Sequence, residues 1–243
     1  MSIQKHRPGG TSSHSSPGIV IAFPAWWYDL VVRWFVMNGK EHTFRQMVAD
    51  LAQLQPGETV LDVGCGTGTL ALVAKKSVGE VGRVCGIDPS PSLLAGARRK
   101  AERARLPIDF QLGGIEQIPF PDETFDVVLS TFMLHHLPDE IKRQGVAEML
   151  RVLKAGGRLL IVDFAHTEGK EHRSERFGAG EMGLQDVPSL LKEAGFEGLA
   201  SGKIPFRIRS VAAEHKDYGF VRARKGEGRA SVSSHAEALF PQG

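Results

Sequence analysis

Residues suited to ligand chemistry concentrate where an apolar segment runs into a series of glycines. The sequence VLDVGCGTG, residues 60–68, has glycine at three alternate positions, Gly64, Gly66 and Gly68. Glycines in such a turn let the backbone bend sharply and approach a ligand closely. A plain strand-to-helix turn needs only one glycine, so the series predicts a ligand-binding loop.

The glycine spacing differs from the dinucleotide fingerprint G-x-G-x-x-G, because Gly68 comes one position early and Thr69 follows it. Asp62, beside the turn, would repel a pyrophosphate, which binds bare N–H groups at a helix N-terminus. It suits an ammonium group instead. Asp88, at the end of the next apolar segment, lies where an acidic side chain accepts hydrogen bonds from ribose hydroxyls. Asp88 alone fits NAD equally well, but together with Asp62 it favours S-adenosylmethionine, which has an ammonium, a sulfonium and no phosphate.

A second set of polar residues follows two later apolar segments. His135 and His136 come after the fourth, and Asp163 ends the fifth. Histidine is a frequent general base, and an aspartate can orient an imidazole and stabilise its protonated form. These three residues are the candidate catalytic group, for an acceptor whose proton must leave. The alternative is structural: one histidine packs against the next helix and Asp163 only ends a strand.

Alternating strand and helix signals position these residues. The strand candidates are rich in Val, Ile and Leu, as expected for strands covered on both faces. They are Thr59–Val63, Arg83–Ile87, Asp109–Leu112, Phe125–Ser130, Arg158–Asp163, Phe196–Lys203 and Tyr218–Arg224. Helices are predicted between them over Thr69–Ser77, Ser90–Arg103, Asp139–Leu153 and Asp186–Ala194. The third of these helices is expected to end at a Gly156-Gly157 turn. This order predicts an α/β fold with a doubly wound, mostly parallel seven-stranded sheet.

The segment before the sheet is rich in aromatic residues. Ile19–Val36 contains all three tryptophans of the chain, and with Lys40–Leu54 it predicts two amphipathic helices. They can form a lid over a site, part of the core, or a weak membrane-surface contact. We expect a disordered leader over 1–18, one domain over 19–225 and a disordered tail over 226–243. Within the domain, 19–54 is the helical lid, 55–165 the cofactor-binding core and 166–225 the acceptor side with the final strands.

Composition excludes several classes of protein. The 243 residues are 42% hydrophobic and 24% charged, as in ordinary globular proteins, and the net charge of +2 argues against a dedicated nucleic-acid binder. No apolar run is long enough to cross a bilayer. The two cysteines, Cys65 and Cys85, have no metal-ligand spacing, so we expect no metal, reduced thiols and a cytoplasmic location.

Four segments together resemble the class I S-adenosylmethionine-dependent methyltransferases, in the group with the ubiquinone/menaquinone and small-molecule methyltransferases. They are VLDVGCGTGTLAL, VCGIDPSPSLLAGAR, IPFPDETFDVVLSTFMLHHL and LKAGGRLLIVDF. The resemblance spans roughly residues 60–164, in the order and spacing of that family. It implies a Rossmann-like sheet with the last strand antiparallel, and S-adenosyl-L-methionine as cofactor.

The resemblance also implies roles for individual residues. Asp62, Gly64 and Gly66 would line the methionine part of the cofactor, and Asp88 would hold the ribose. The remaining cofactor contacts would come from Pro89, Gly114 and Ile115 at the adenine, Thr131 at the centre and Tyr28 at the carboxylate. One position departs from the family: where relatives usually have Asp or Asn for the adenine amino group, this chain has Gly114. That departure leaves backbone groups or Glu116 to make the contact.

The function expected from this resemblance is methyl transfer to a small-molecule acceptor, hydrophobic or hydroxyl-bearing, by a monomer or homodimer. A nucleic-acid acceptor is disfavoured because Ser130-Thr131-Phe132-Met133 replaces the Asn/Asp-Pro-Pro-aromatic motif. Two alternatives stay open: an NAD(P)-dependent oxidoreductase, and a non-catalytic protein that binds S-adenosylmethionine.

Overall fold

The structure is a computed structural model that describes residues 40–165, 182–204 and 218–227. Strands and helices alternate along most of these ranges. The strands are β1 (Thr59–Val63), β2 (Arg83–Asp88), β3 (Asp109–Leu112), β4 (Phe125–Thr131), β5 (Leu153–Phe164), β6 (Phe196–Lys203) and β7 (Tyr218–Lys225). The helices are α1 (Glu41–Leu51), α2 (Thr69–Val78), α3 (Pro91–Ala104), α4 (Asp139–Val152) and α5 (Val187–Glu193).

The seven strands form one sheet in the order β3-β2-β1-β4-β5-β7-β6. The first five are parallel, and β7 runs antiparallel between β5 and β6. The prediction of a mostly parallel, doubly wound sheet with an antiparallel last strand is therefore confirmed. The order reverses between β1 and β4, and ligands bind beyond the carboxyl ends of the strands at such a switch point.

Apart from α1, which ends at Leu51 instead of the predicted Leu54, element boundaries agree with the sequence-based expectation to within a residue or two, except at β5. That strand begins at Leu153 instead of Arg158 and includes Gly156, whose φ is +73°. The Gly156-Gly157 pair was therefore wrongly predicted as a turn after the preceding helix. The physical reason is a register irregularity between Phe125 and Val127, which lets an irregular first part of β5 pair with β4.

Apolar residues cover both faces of the sheet. On one face α4 and α5 bury Val146, Met149 and Leu191 against it, and on the other α1, α2 and α3 bury Phe44, Leu70 and Leu94. Local sequence explains where these helices start: Pro91 occupies the first turn of α3, and Asp139 begins α4 after Pro138. The sheet is thus held rigid from both sides, with its carboxyl edge left for the site.

The second predicted lid helix is present as α1, at Glu41–Leu51. The first, Ile19–Val36, lies outside the described residues, as do the predicted leader over 1–18 and residues 228–243 of the predicted tail. In the part of the chain that is described, no helix is both long and apolar enough to span a membrane.

Candidate active site

The glycine turn joins β1 to α2 at the switch point of the sheet. Gly64, Gly66 and Gly68 have φ angles of 72°, 54° and 74°, in the left-handed region that glycine adopts without strain. The amides of Gly64 and Cys65 both donate to the Ile87 carbonyl at 2.9 Å. The turn is therefore fastened at the carboxyl ends of β1 and β2.

Asp62 lies in β1 beside this turn and is only 1% exposed. Neither carboxylate oxygen has a hydrogen-bond partner among the described residues. Burial raises the pKa of Asp62 to about 7, the Arg45 guanidinium opposes that shift, and the nearby Asp88 carboxylate adds to it. The Ala71 amide is close enough to lower this pKa but does not reach hydrogen-bonding geometry. A buried, unpartnered carboxylate is costly, and a cationic ligand group would supply the missing partner.

Asp88 ends β2, and its carboxylate is fixed by two backbone amides. Gly66 donates to Oδ2 and Ser90 donates to Oδ1, each at 2.9 Å. Burial raises the pKa of Asp88, and these two hydrogen bonds oppose the shift. Because each carboxylate oxygen has a second lone pair, Asp88 can still accept hydrogen bonds from two ligand hydroxyls. Pro89, half-buried, follows it directly.

Arg45, on α1, belongs to the same site, although sequence reasoning missed it. Its Nη1 donates to Thr131 Oγ1 at 2.9 Å, and its Nε is buried without a hydrogen-bond partner among the described residues. Glu41, one turn earlier, lies 3.7 Å from Nε. Thr131, a predicted cofactor residue at the end of β4, thus helps to orient a cation near Asp62. In the sequence Arg45 resembles any basic residue on the solvent-exposed face of an amphipathic helix, so no local pattern identified it.

The loop after β3 contains two further predicted cofactor residues. The Gly113 amide donates to the Asp88 carbonyl at 3.3 Å, so the loop starts beside the end of β2. Gly114 is half-buried, and Ile115 is buried in the core at 5% exposure. Tyr28, the remaining predicted cofactor residue, lies outside the described residues.

His135 and Asp163 form a close pair at the carboxyl ends of β4 and β5. His135 lies in a short 3-10 turn, and its Nδ1 is 2.6 Å from Asp163 Oδ1. Asp163 also accepts the backbone amides of His135 at 3.3 Å and Phe164 at 2.8 Å. Burial by itself would raise the pKa of Asp163, but His135 and these hydrogen bonds hold it below its ordinary value. An ionised Asp163 fixes the His135 proton on Nδ1, which makes Nε2 the nitrogen that can accept a proton.

His136, the other predicted histidine, is exposed, and its ring centroid lies 3.8 Å from that of His135. A cleft opens beside His135 and Asp163. Its walls are mostly apolar and come from the turn after β4, the end of β5, the segment that leads into α5, and α5 itself: Leu134, Phe164, Met182, Leu184, Val187 and Leu190. Lys142 also lines it and is tied to Asp139 Oδ1 at 2.8 Å and the Met182 carbonyl at 2.7 Å. The structure therefore brings two of the three candidate catalytic residues together beside an apolar cleft.

Comparison with known proteins shows what the part of the chain around this site is similar to. Residues 60–157 match the family model of a methyltransferase domain. This part of the chain is therefore similar to methyltransferase domains. The matched range begins in β1 and ends in β5, so it includes the glycine turn and the Asp62, Asp88 and His135 side chains.

The chain also resembles curated proteins and solved structures. It is 34% identical over 154 residues to the arsenite methyltransferase of Halobacterium salinarum, covering 60% of this chain and 39% of that protein. It is 38% identical over 129 residues to the 2-phytyl-1,4-naphtoquinone methyltransferase of Synechococcus elongatus, covering 51% and 54%. The chain thus spans about half the length of the curated relatives it matches. A SAM dependent methyltransferase from Aquifex aeolicus superposes with a TM-score of 0.59 at 25% identity, covering 82% of this chain and 96% of that one.

The matched protein from Aquifex aeolicus is a SAM dependent methyltransferase, and the residues of this site fit the functional groups of S-adenosylmethionine. The unpartnered oxygens of Asp62 suit the ammonium, and the unpartnered Nε of Arg45 suits the carboxylate. The fixed carboxylate of Asp88 suits the two ribose hydroxyls. The site thus offers a counter-charge to each end of an amino-acid zwitterion, which a dinucleotide does not have.

Proposed function

We propose that this chain transfers a methyl group from S-adenosylmethionine to a small-molecule acceptor, hydrophobic or hydroxyl-bearing, by in-line displacement. The observation that carries the proposal is the buried Asp62 carboxylate, which has no hydrogen-bond partner among the described residues. A carboxylate in that position repels phosphate and attracts an ammonium group. The match of residues 60–157 to a methyltransferase domain supports the same conclusion.

When bound, S-adenosylmethionine supplies a methyl group that its sulfonium has already activated. The chain then contributes mainly by positioning, which can be worth up to about 7–11 kcal/mol of the barrier. Asp62 and Arg45 hold the amino-acid end, and Asp88 holds the ribose. Gly64 and Gly66 let the backbone approach closely, and Gly114, Ile115, Pro89 and Thr131 complete the cofactor contacts.

The cleft beside β4 and β5 takes the acceptor. Its lining is mostly apolar, as a hydrophobic acceptor requires, but the enclosed space is only about 10 Å³, so the side chains around it must move apart when the acceptor enters. Phe132 lies behind this lining: its ring stacks at a centroid distance of 4.8 Å on Phe164, which lines the cleft, and at 5.4 Å on Phe44. Its φ of +53° is unusual for a residue other than glycine. Such a conformation persists only where the surroundings impose it, as they often do at functional sites.

His135 acts as the general base when the acceptor is a hydroxyl group. Asp163 Oδ1, 2.6 Å from Nδ1, accepts the Nδ1 proton in a hydrogen bond. It also stabilises the imidazolium that forms when Nε2 takes the acceptor's proton. His136 is the second candidate base, although its exposure leaves it more fully hydrated.

The surroundings of the reaction follow from the same features. We infer a cytoplasmic enzyme with two reduced cysteines, since Cys65 and Cys85 are both free and buried. With a net charge of only +2, it acts on small molecules and not on nucleic acid, as a monomer or homodimer. A weak membrane-surface contact through the aromatic stretch before α1 would give it access to lipophilic acceptors.

Calorimetric titration and a methyl-transfer assay test this proposal. We expect micromolar binding of S-adenosylhomocysteine, no response to NADH, and transfer of labelled methyl from S-adenosylmethionine to at least one acceptor in a panel of quinols, phenols and aliphatic alcohols. The variant Asp62→Asn removes the negative charge but keeps the size of the side chain, and it should bind S-adenosylhomocysteine far more weakly. Binding of NADH alone would indicate an oxidoreductase, and cofactor binding without any turnover would indicate a non-catalytic binding protein.

A further inference from the structure

Glu116 folds back onto Gly114 in the loop that follows β3. A Cβ placed on Gly114 would lie 2.6 Å from Glu116 Cδ and would overlap both carboxylate oxygens. Real Cβ atoms do not approach other atoms so closely. The Glu116 carboxylate therefore fills the space in which a side chain at position 114 would begin.

That space lies on the path the cofactor must follow. The amino-acid end belongs at Asp62 in β1, and the ribose belongs at Asp88, the last residue of β2. In the sheet, β3 is the next strand outward, with Leu112 paired to Asp88. The adenine, attached to the ribose opposite the amino-acid end, therefore extends toward the loop that holds Gly114 and Glu116.

Adenine needs a hydrogen-bond acceptor at its exocyclic amino group to be distinguished from other purines. Gly114 has no side chain to offer one. Glu116 has a carboxylate, an acceptor-only group when ionised, and no hydrogen bond or ion pair to another described residue engages it. Its side chain is only partly exposed, so it lies against the loop instead of projecting into solvent.

We propose that Glu116 accepts a hydrogen bond from the adenine amino group, and that glycine at position 114 makes room for its carboxylate. Glu116 thereby takes over a contact that a side chain at position 114 would otherwise make. This inference rests on the proposed function, since it places the adenine of S-adenosylmethionine at this loop.

Calorimetric titration with two ligands tests the contact without any turnover. One is S-adenosylhomocysteine, and the other is S-inosylhomocysteine, which differs by a carbonyl and a ring N–H in place of the amino group and ring nitrogen. Wild-type protein should prefer the adenosyl ligand, because the Glu116 carboxylate attracts the amino group and repels the carbonyl. Glu116→Ala should weaken binding of S-adenosylhomocysteine roughly 10- to 100-fold, the usual range for the loss of a hydrogen bond to a charged group. It should not weaken binding of S-inosylhomocysteine.

Two further variants strengthen the test. Glu116→Gln keeps the size of the side chain and adds an N–H donor, so it should improve binding of S-inosylhomocysteine even if the alanine variant folds poorly. Gln117→Ala, at the exposed neighbouring position, is the matched control and should leave both affinities unchanged. The double variant Gly114→Asp with Glu116→Ala should restore the preference for S-adenosylhomocysteine, because it returns a carboxylate to the same space.

The possible failures are distinguishable. If the wild-type protein binds S-adenosylhomocysteine but Glu116→Ala and Glu116→Gln keep its affinity and its preference, the Glu116 contact is wrong and the proposed function stands. If the wild-type protein binds neither ligand, the proposed function itself fails.

Discussion

His135 Nδ1 lies 2.6 Å from Asp163 Oδ1, joining the turn after β4 to the end of β5. The two residues are 28 positions apart in the chain and meet because β4 and β5 are parallel neighbours whose carboxyl ends share one edge of the sheet. Asp163 is 2% exposed and its pKa is held below the ordinary value, although burial alone would raise it. The imidazole is thus anchored beside the apolar cleft to a carboxylate whose low pKa favours its charged form.

The first prediction concerns this pair. With a hydroxyl acceptor, His135→Ala should lower kcat by about 100-fold or more, because a positioned general base contributes roughly that much. His136→Ala should change kcat by less than about threefold, because His136 is exposed and it is the His135 ring that Asp163 positions as a general base. The measurement is turnover at saturating cofactor, with S-adenosylhomocysteine binding as the check on folding. Turnover that survives both changes with the true acceptor would contradict a catalytic role for either histidine.

The second prediction concerns Arg45 and the carboxylate end of the cofactor. Arg45→Ala should weaken binding of S-adenosylhomocysteine by about tenfold or more, because a charge-assisted hydrogen bond is lost. Methylthioadenosine, which lacks the amino-acid end, should bind wild type and variant equally well. Titration with both ligands decides the point, and an equal loss for both would mean that Arg45 acts only by holding α1 in place. Arg222→Ala, which removes a cation at the other end of α1, is a matched control.

Much of this organisation was predictable because it is local in the chain. The bounds of β1, Thr59–Val63, coincide with those read from the sequence, since a short Val- and Leu-containing segment ended by glycines has few other structures open to it. Asp62 and Asp88 follow from the same logic, as each occupies a stated position relative to a strand end. The extent of β5 did not follow, because its first residues depend on an irregular pairing with β4 that no local pattern encodes.

Arg45 and the position of Glu116 could not be derived in this way. Arg45 reaches Thr131, 86 residues later, only because Phe44 and Val48 bury one face of α1 against the sheet. The sequence left Glu116 as one of several groups able to contact adenine. Its placement over Gly114 depends on the path of the loop after β3, which is a property of tertiary packing.

The third prediction concerns pH and Asp62. The pKa of Asp62 without ligand is raised to about 7, and an ammonium group binds only the ionised carboxylate. Affinity for S-adenosylhomocysteine should therefore rise about fivefold from pH 6 to pH 7 and level off above, as linkage to one proton requires. Asp62→Asn should bind weakly with no such slope. An affinity that is flat or falls over this interval in the wild type would contradict the assignment.

The same raised pKa has an opposite effect on the ligand-free fold. Because the folded pKa exceeds the ordinary value of 3.8, Asp62 holds its proton more tightly when folded, and its contribution to stability is lost as pH rises toward and through 7. Chemical denaturation of the ligand-free protein at several pH values, compared with Asp62→Asn, isolates this contribution. The difference between the two unfolding free energies should grow with pH, in favour of the asparagine variant.

The fourth prediction uses the two glycines that flank α2. Gly68 and Gly79 have nearly equal φ angles, 74° and 72°, but a Cβ on Gly68 would lie 2.8 Å from Phe110 Cζ, whereas one on Gly79 meets nothing within 4 Å. Gly79→Ala should therefore cost only its backbone strain, about 1–3 kcal/mol, because φ 72° with ψ −167° is a region that almost only glycine adopts. Gly68, with ψ 16°, has the smaller left-handed penalty of about 1–2 kcal/mol, but Gly68→Ala should cost about 1–3 kcal/mol in addition because Phe110 must move within a packed core. Urea denaturation measures the loss of unfolding free energy in each variant, and a loss for Gly68→Ala of no more than about 1–2 kcal/mol would show that the ring of Phe110 yields without cost. Gly68→Ala should also weaken S-adenosylhomocysteine binding while Gly79→Ala should not, since only Gly68 belongs to the turn that approaches the cofactor.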